Sequence, residues 1–270
     1  MAIRFTKMSG SGNDFIIIDN RVPVIRNEEK RDLVRKICQR RTSIGADGVI
    51  FVENSDTADF KWDFYNDDGS SAEMCGNGGR CVARYAFENK IAPQDLSFET
   101  LAGIITAEVR GVNVKIKLTP PHDYRADVEV NMDGDTLTVD SINTGVPHAI
   151  LYSDNIEGID IVRLGRGIRH HETFAPRGTN VDFVQKKDDH TLRIRTYERG
   201  VEGETLACGT GVVASVLTSV RRNHVQAPVS VETKGGDILK VHFEMKNGSF
   251  GDVYLEGPAR KSFEGTLIEI

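Results

Sequence analysis

Two stretches of this chain repeat one uncommon pattern, and that pattern restricts the folds able to carry it. Residues 74 to 87 read MCGNGGRCVARYAF, and residues 207 to 220 read ACGTGVVASVLTSV. In each, a cysteine precedes a Gly-polar-Gly turn that runs straight into a helix-forming stretch. Strand-like residues stand before both, FKWDFYN ahead of Cys75 and TLRIRTY ahead of Cys208. Strand, cysteine, glycine turn and helix start together put a thiol at a helix N-terminus. Backbone N–H groups there lack intrahelical partners and point outward, and the dipole adds roughly half a positive charge. A thiol so placed is expected to ionise more readily than a free one, and the thiolate is the reactive form. The same N–H groups are a cradle for a carboxylate or phosphate.

The repetition reaches further upstream. GSGNDFIIID at residues 10 to 19 is echoed by RGTNVDFVQKK at 177 to 187, and YNDDGSSAEMCGNG by YERGVEGETLACGTG. Asn66 precedes Cys75 by nine residues and Glu198 precedes Cys208 by ten. Three elements in the same order predict two related halves of mixed strands, each with a central helix. TPPHDYR at residues 119 to 125 breaks the strand pattern with two prolines and is read as the boundary. The expected domains are then 1–118, carrying Cys75, and 119–260, carrying Cys208, with the closing 261–270 returning to pair with the first. Within the first, 27–40 reads as a helix with Asn27 as its N-cap. Leu33, Val34, Ile37 and Cys38 share one face of it, which makes Cys38 a small buried hydrophobe. Cys81, inside the helix after Cys75, reads as packing. A short helix is expected near 156–164.

Bulk properties narrow the class. The 270 residues are 39% hydrophobic and 27% charged, with a net charge of −6 spread without long runs of one sign. That composition is globular, and its charge argues against nucleic acid or an anionic membrane as partner. No apolar run approaches the length of a membrane span, and MAIRFTKMSG lacks a signal-peptide core. Four cysteines are too few for a disulfide scaffold, so a reducing, cytoplasmic setting is expected.

Twin thiols direct the chemistry. A single-thiol hydrolase pairs one cysteine with a histidine base and has no use for a mirror-related second one. Inversion of a stereocentre does: one thiolate removes a proton from one face, and the other group, as thiol, delivers a proton to the opposite face. Acids and bases of this kind work best with a pKa near the operating pH. The α-proton of an amino acid is far less acidic than a thiol, so charge stabilisation must supply most of the deficit. Gly76-Asn77-Gly78 and Gly209-Thr210-Gly211 can each aim N–H donors at a carboxylate, in a cleft closed to water. No pyridoxal-type lysine motif and no metal-ligand spacing is present; Cys75, Cys81, His170 and His171 do not match a zinc site.

MCGNGGRC, ETLACGTG, the early GSGNDF and the late GTNVDF together resemble the diaminopimelate epimerase family over most of the chain. The resemblance implies two similar α/β domains, each a barrel-like, mostly antiparallel sheet around a central helix, with the active site in the cleft between them. It implies cofactor-independent interconversion of LL- and meso-diaminopimelate, serving lysine and peptidoglycan precursor synthesis, by a homodimer. Matched by position, Cys75 and Cys208 are the acid–base pair. Asn13, Asn66 and Asn180 are substrate-binding asparagines; Gly76 with Asn77, and Gly209 with Thr210, cradle the carboxylate. Glu198 and Arg199 form an acidic–basic pair at the substrate, and His148 with Glu198 tunes the thiols. Gly48 and Val146 depart from the Gln and Asn that many members carry there, and the loop before Cys208 is one residue longer than the commoner form. Three rivals stay open: a proline or hydroxyproline racemase of the same fold, a phenazine-type isomerase, and a non-enzymatic switch in which Cys75 and Cys208 form a regulatory disulfide.

Overall fold

The computed structural model describes residues 2–132, 134–246 and 249–268. The chain divides into two compact units, Met1–Ile116 with Gly257–Ile270, and Lys117–Glu256. Among the described residues no helix is long and apolar enough to cross a membrane, and no three His, Cys, Asp or Glu side chains gather as metal ligands.

The first unit opens with β1 (Ile3–Gly10) and β2 (Asn13–Asp19), followed by α1 (Asn27–Ile37), β3 (Gly48–Glu53) and β4 (Phe60–Asn66). Then come α2 (Gly76–Glu88), β5 (Asp95–Thr100), β6 (Gly103–Arg110) and β7 (Asn113–Lys117), the last belonging to this unit as far as Ile116. β1 pairs antiparallel with β2, β2 runs parallel to β3, and β3 is antiparallel to β4. β4 is parallel to β5, and β5, β6 and β7 form an antiparallel meander. β2 and β3 read FIII and VIFV because both their faces are covered, as befits strands inside a parallel pair. Ile16, Ile18, Val49 and Phe51 face α1, packing with Leu33, Val34, Ile37 and Cys38. Phe15 and Ile50, on the opposite face, lie beside Gly78 of α2. The helix α2 is buried along most of its length, from Asn77 to Ala86, so its apolar residues do not keep to one stripe. The N-cap of α1 is Arg26 rather than Asn27; its N–H donates to Glu29 at 3.2 Å.

The second unit contains β8 (His122–Met132), β9 (Asp135–Asn143), β10 (Pro147–Tyr152), α3 (Ile161–His170) and β11 (Asn180–Asp188). It continues with β12 (Thr191–Glu198), β13 (Gly203–Thr205), α4 (Gly209–Arg221), β14 (Val229–Glu232), β15 (Ile238–Lys246) and β16 (Ser249–Pro258). β8 and β9 form a hairpin, β9 is antiparallel to β10, and β10 is parallel to β11. β11 is antiparallel to β12, β12 is parallel to β14, and β14, β15 and β16 alternate. The helix expected near 156–164 begins later, at Ile161, where the Asp160 carboxylate accepts the Arg163 N–H at 3.0 Å.

The pairing order from β1 to β7 is therefore the pairing order from β9 to β16, with β13 an added short strand. α1 matches α3, and α2 matches α4. This match corrects one echo read from the sequence. Asn13 begins β2, whereas Asn180 begins β11, the counterpart of β3. Phe15 pairs with Gly48 as His148 pairs with Asn180. By register, Asn180 corresponds to Gly48, Asn13 to Val146, and Asn66 to Glu198. NDF and NVDF are alike in letters and occupy different strands.

The chain ends with β17 (Arg260–Leu267), which pairs antiparallel with β1 from Ile3 to Ser9. The final GTLIEI thus returns to the first unit through Leu267; residues 269 and 270 lie outside the described residues.

Candidate active site

In the first unit Cys75 is the N-cap of α2, with extended backbone (φ −143°, ψ 118°), and its Sγ accepts the Gly78 N–H at 3.4 Å. That is the thiol-at-helix-terminus arrangement read from the sequence. Gly76 is the first helical residue, and Asn77 follows with its side chain buried. Arg80, one turn on and fully buried, donates to the Asn77 Oδ1 at 2.8 Å and to the Ser11 Oγ at 3.0 Å. With its oxygen so engaged, Asn77 turns its amide group to Asn13 and donates to Oδ1 at 2.7 Å. Asn13 in turn donates to Asp47 at 3.0 Å, and Arg40 bridges Asp47 and Asp14 at 2.7 Å each. One chain of bonds thus sets both amides. Asn66 stands at the end of β4, and its amide donates to the Ser70 Oγ at 3.0 Å. Gly48 lies opposite it in β3; a Cβ there would meet the Phe64 ring and the Tyr65 carbonyl, each at 2.6 Å. A longer side chain at 48 therefore needs Phe64 and the neighbouring backbone to move.

In the second unit Cys208 is the N-cap of α4 (φ −118°, ψ 111°), ahead of Gly209 and Thr210. Its Sγ lies 3.4 Å from the Thr210 Oγ1, which is 3.0 Å from His148 Nε2. His148 Nδ1 is 2.7 Å from the Asp182 carboxylate, which also accepts from the Thr196 hydroxyl at 2.7 Å. The side chains of His148 and Asp182 are wholly buried. Glu198 lies within hydrogen-bonding reach of Cys208 and accepts from Thr205 at 3.0 Å. Asn180 Oδ1 accepts the backbone N–H of Arg199 at 2.8 Å, and the Arg199 guanidinium reaches the Arg177 carbonyl at 3.4 Å.

The sequence led us to expect a readily ionised thiol at each helix start. At Cys208 the position is as expected, and the electrostatics are the reverse. Burial pushes the Cys208 thiol well above the ordinary range, reinforced by the negative charges of Glu198 and Asp182. Hydrogen bonding with Thr210 and the Gly211 N–H pulls the other way and does not prevail. Burial also raises the Glu198 carboxyl, against the opposing pull of Cys208 and the Thr205 hydroxyl beside it. In this state Cys208 holds its proton. Cys81 is likewise pushed up to about 12 by burial, and Cys38 to about 12 by burial and the nearby Asp67; both behave as the packing residues expected.

The strand match makes the contrast between the units specific. Where the second unit has His148 and Asp182 beneath its helix, the first has Phe15 and Ile50. Where the first has buried Arg80, five residues after its cysteine, the second has Val213. Sequence reading passed over Asp182, Arg80 and Asp47. Asp182 stood inside the quoted NVDF motif, and its alternation with Val181 and Phe183 was the signal for a polar residue on an otherwise apolar strand.

The family model described as diaminopimelate epimerase matches residues 5–122 and again 141–261. The diaminopimelate epimerase of Hydrogenobaculum sp. (strain Y04AAS1) is 47% identical over 277 residues, covering 97% of each chain. The chain belongs to the diaminopimelate epimerase family. Solved structures place the family fold more widely. A phenazine biosynthesis protein of the PhzF family from Bacillus anthracis aligns over 100% of both chains, with a TM-score of 0.75 and 16% identity. A hydroxyproline epimerase from Agrobacterium vitis, solved with bound trans-4-hydroxy-L-proline, aligns over 98% of this chain and 92% of its own, with a TM-score of 0.73 and 16% identity. At such identity the likeness is one of fold alone, and the diaminopimelate epimerase assignment rests on sequence.

Proposed function

We propose that the protein interconverts LL- and meso-diaminopimelate without a cofactor, as a step toward lysine and peptidoglycan precursors. The observation that carries this reading is the twin cysteine caps, placed at matching helix starts and set in opposite surroundings. Cys75 accepts the Gly78 N–H, and Cys208 is bordered by the carboxylates of Glu198 and Asp182.

Cys75 as thiolate takes the α-proton from one face of the substrate carbon. Cys208, which holds its proton in this state, delivers it to the other face. The reverse reaction exchanges the roles, and electrons and protons balance in each direction. The developing negative charge lies on the α-carboxylate, which the N–H groups of Gly76-Asn77 and Gly209-Thr210 are suited to receive. Exclusion of water strengthens those donors. Asn13, Asn66, Asn180, Glu198 and Arg199 supply donors and acceptors for the distal ammonium and carboxylate. His148 and Glu198 tune Cys208. A homodimer in the cytoplasm completes the reading, supported by the family resemblance.

The reading requires both sulfurs to reach one carbon. The test is incorporation of deuterium at the α-carbon of LL-diaminopimelate in deuterated water under reducing conditions, with C75A and C208A alongside. Epimerisation by the wild-type protein and its loss in both variants are expected. Full epimerisation by either variant, or turnover of proline isomers in place of diaminopimelate, overturns the reading.

A further inference from the structure

The face of β10 and β11 beneath α4 carries two buried polar side chains where the matching face of the first unit is apolar. Phe15 and Ile50 show that this layer packs without polar groups. Burying a carboxylate and an imidazole in such a layer is unfavourable unless both are hydrogen-bonded. Here they are, and each bond has one workable polarity.

Asn180 sets it. The Asn180 Oδ1 accepts the Arg199 N–H at 2.8 Å, so its Nδ2 faces the other way, toward the Pro147 carbonyl at 3.4 Å and His148 Nε2 at 3.5 Å. An N–H₂ group turned toward Nε2 makes that nitrogen an acceptor. The imidazole proton is then on Nδ1, where Asp182 accepts it at 2.7 Å. With Nε2 bare, the Thr210 hydroxyl donates to it at 3.0 Å. The lone pairs of Thr210 Oγ1 are left facing Cys208 Sγ at 3.4 Å, as acceptors of its S–H. Asp182 itself is fixed from two other sides. Thr196 donates to its second oxygen at 2.7 Å, and a Cβ on Gly211 would come within 2.3 Å of that oxygen.

We propose that Asp182 is a positioning residue: it locks His148 in its Nδ1–H tautomer, and through Thr210 it aims the Cys208 S–H for delivery to the substrate. The proposal rests on the epimerase reading for its reaction, and on hydrogen-bond geometry alone for its tautomer. At the two matching positions of the first unit stand Phe15 and Ile50, so the floors beneath the two helices are built differently.

The tautomer is measured first, on the substrate-free wild-type protein, by ¹⁵N NMR of the His148 ring. A protonated Nδ1 and a bare Nε2 are expected; a proton on Nε2 overturns the proposal whatever the substrate proves to be. Asp182→Asn is then compared on the substrate that the wild-type protein turns over. Its kcat is expected to fall on the order of 10²-fold, within the range for proton-transfer groups. KM should change less than about threefold, and its His148 nitrogen signals should depart from those of the wild type. A D182N protein with wild-type kcat, or one that loses kcat while its His148 signals are unchanged, overturns the proposal. Should D182N not fold, Thr210→Val takes its place: it should lower kcat, and Thr210→Ser should restore it. Equal loss in both counts against the relay.

Discussion

At the scale of single residues, Cys208 shows how surroundings override position. A helix N-terminus lowers a thiol pKa when solvent and cations help it. Here burial and two carboxylates outweigh it. The sign of the pH dependence follows. Because the folded thiol titrates above its unfolded value, the stability it contributes is fully present below the ordinary thiol range. That contribution is lost as pH rises through the folded value. Alkylation of Cys208 by iodoacetamide, followed site by site by mass spectrometry, should remain slow at pH 8 and rise only at higher pH. Glu198→Gln removes one of the two charges and should move that profile to lower pH. An unchanged profile would mean that Glu198 does not act on this thiol. The cysteines and their glycine turns were legible in the sequence because backbone chemistry dictates them locally. The Asp182–His148–Thr210 chain was not, because its members come from three elements and meet only through the parallel pairing of β10 with β11.

At the scale of elements, the two cysteine-capped helices begin alike and rest on different floors. The glycine two residues into each turn tests this. At Gly78 a Cβ would lie 3.4 Å from Ile50 and Phe15, an ordinary contact. At Gly211 it would lie 2.3 Å from the Asp182 carboxylate. Gly78→Ala should therefore shift stability by less than about 1 kcal/mol. Gly211→Ala should cost about 1–3 kcal/mol, with a loss of activity, since Asp182 cannot retreat without releasing His148 or Thr196. Urea midpoints and kcat of the two variants, measured side by side, decide it; equal behaviour would contradict the packing described. Sequence patterning located most strands and both central helices, since hydrophobic alternation and turns are local signals. It placed α3 too early, because the start is fixed by the Asp160 side chain. It also aligned Asn13 with Asn180, because letters do not reveal which neighbour a strand pairs with.

At the scale of the whole chain, each unit repeats one ladder, and the family model matches each half separately. The first unit differs in borrowing its last strand from the end of the sequence. Removing residues 260–270 strips β1 of β17 and uncovers Ile3 and Phe5, which are 2% and 8% exposed in the intact protein. Re-exposing those two side chains alone costs roughly 3–6 kcal/mol. Loss of the cooperative urea transition of the first unit is expected, read by the fluorescence of Trp62, the chain's single tryptophan. A truncated protein with the wild-type midpoint would show β17 to be dispensable.

That borrowed strand also bears on how the protein is made. Translation delivers β1 well before its partner β17. The first unit must wait, with one strand flank uncovered, until the whole of the second unit has been read. The half encoded in the middle can finish before it.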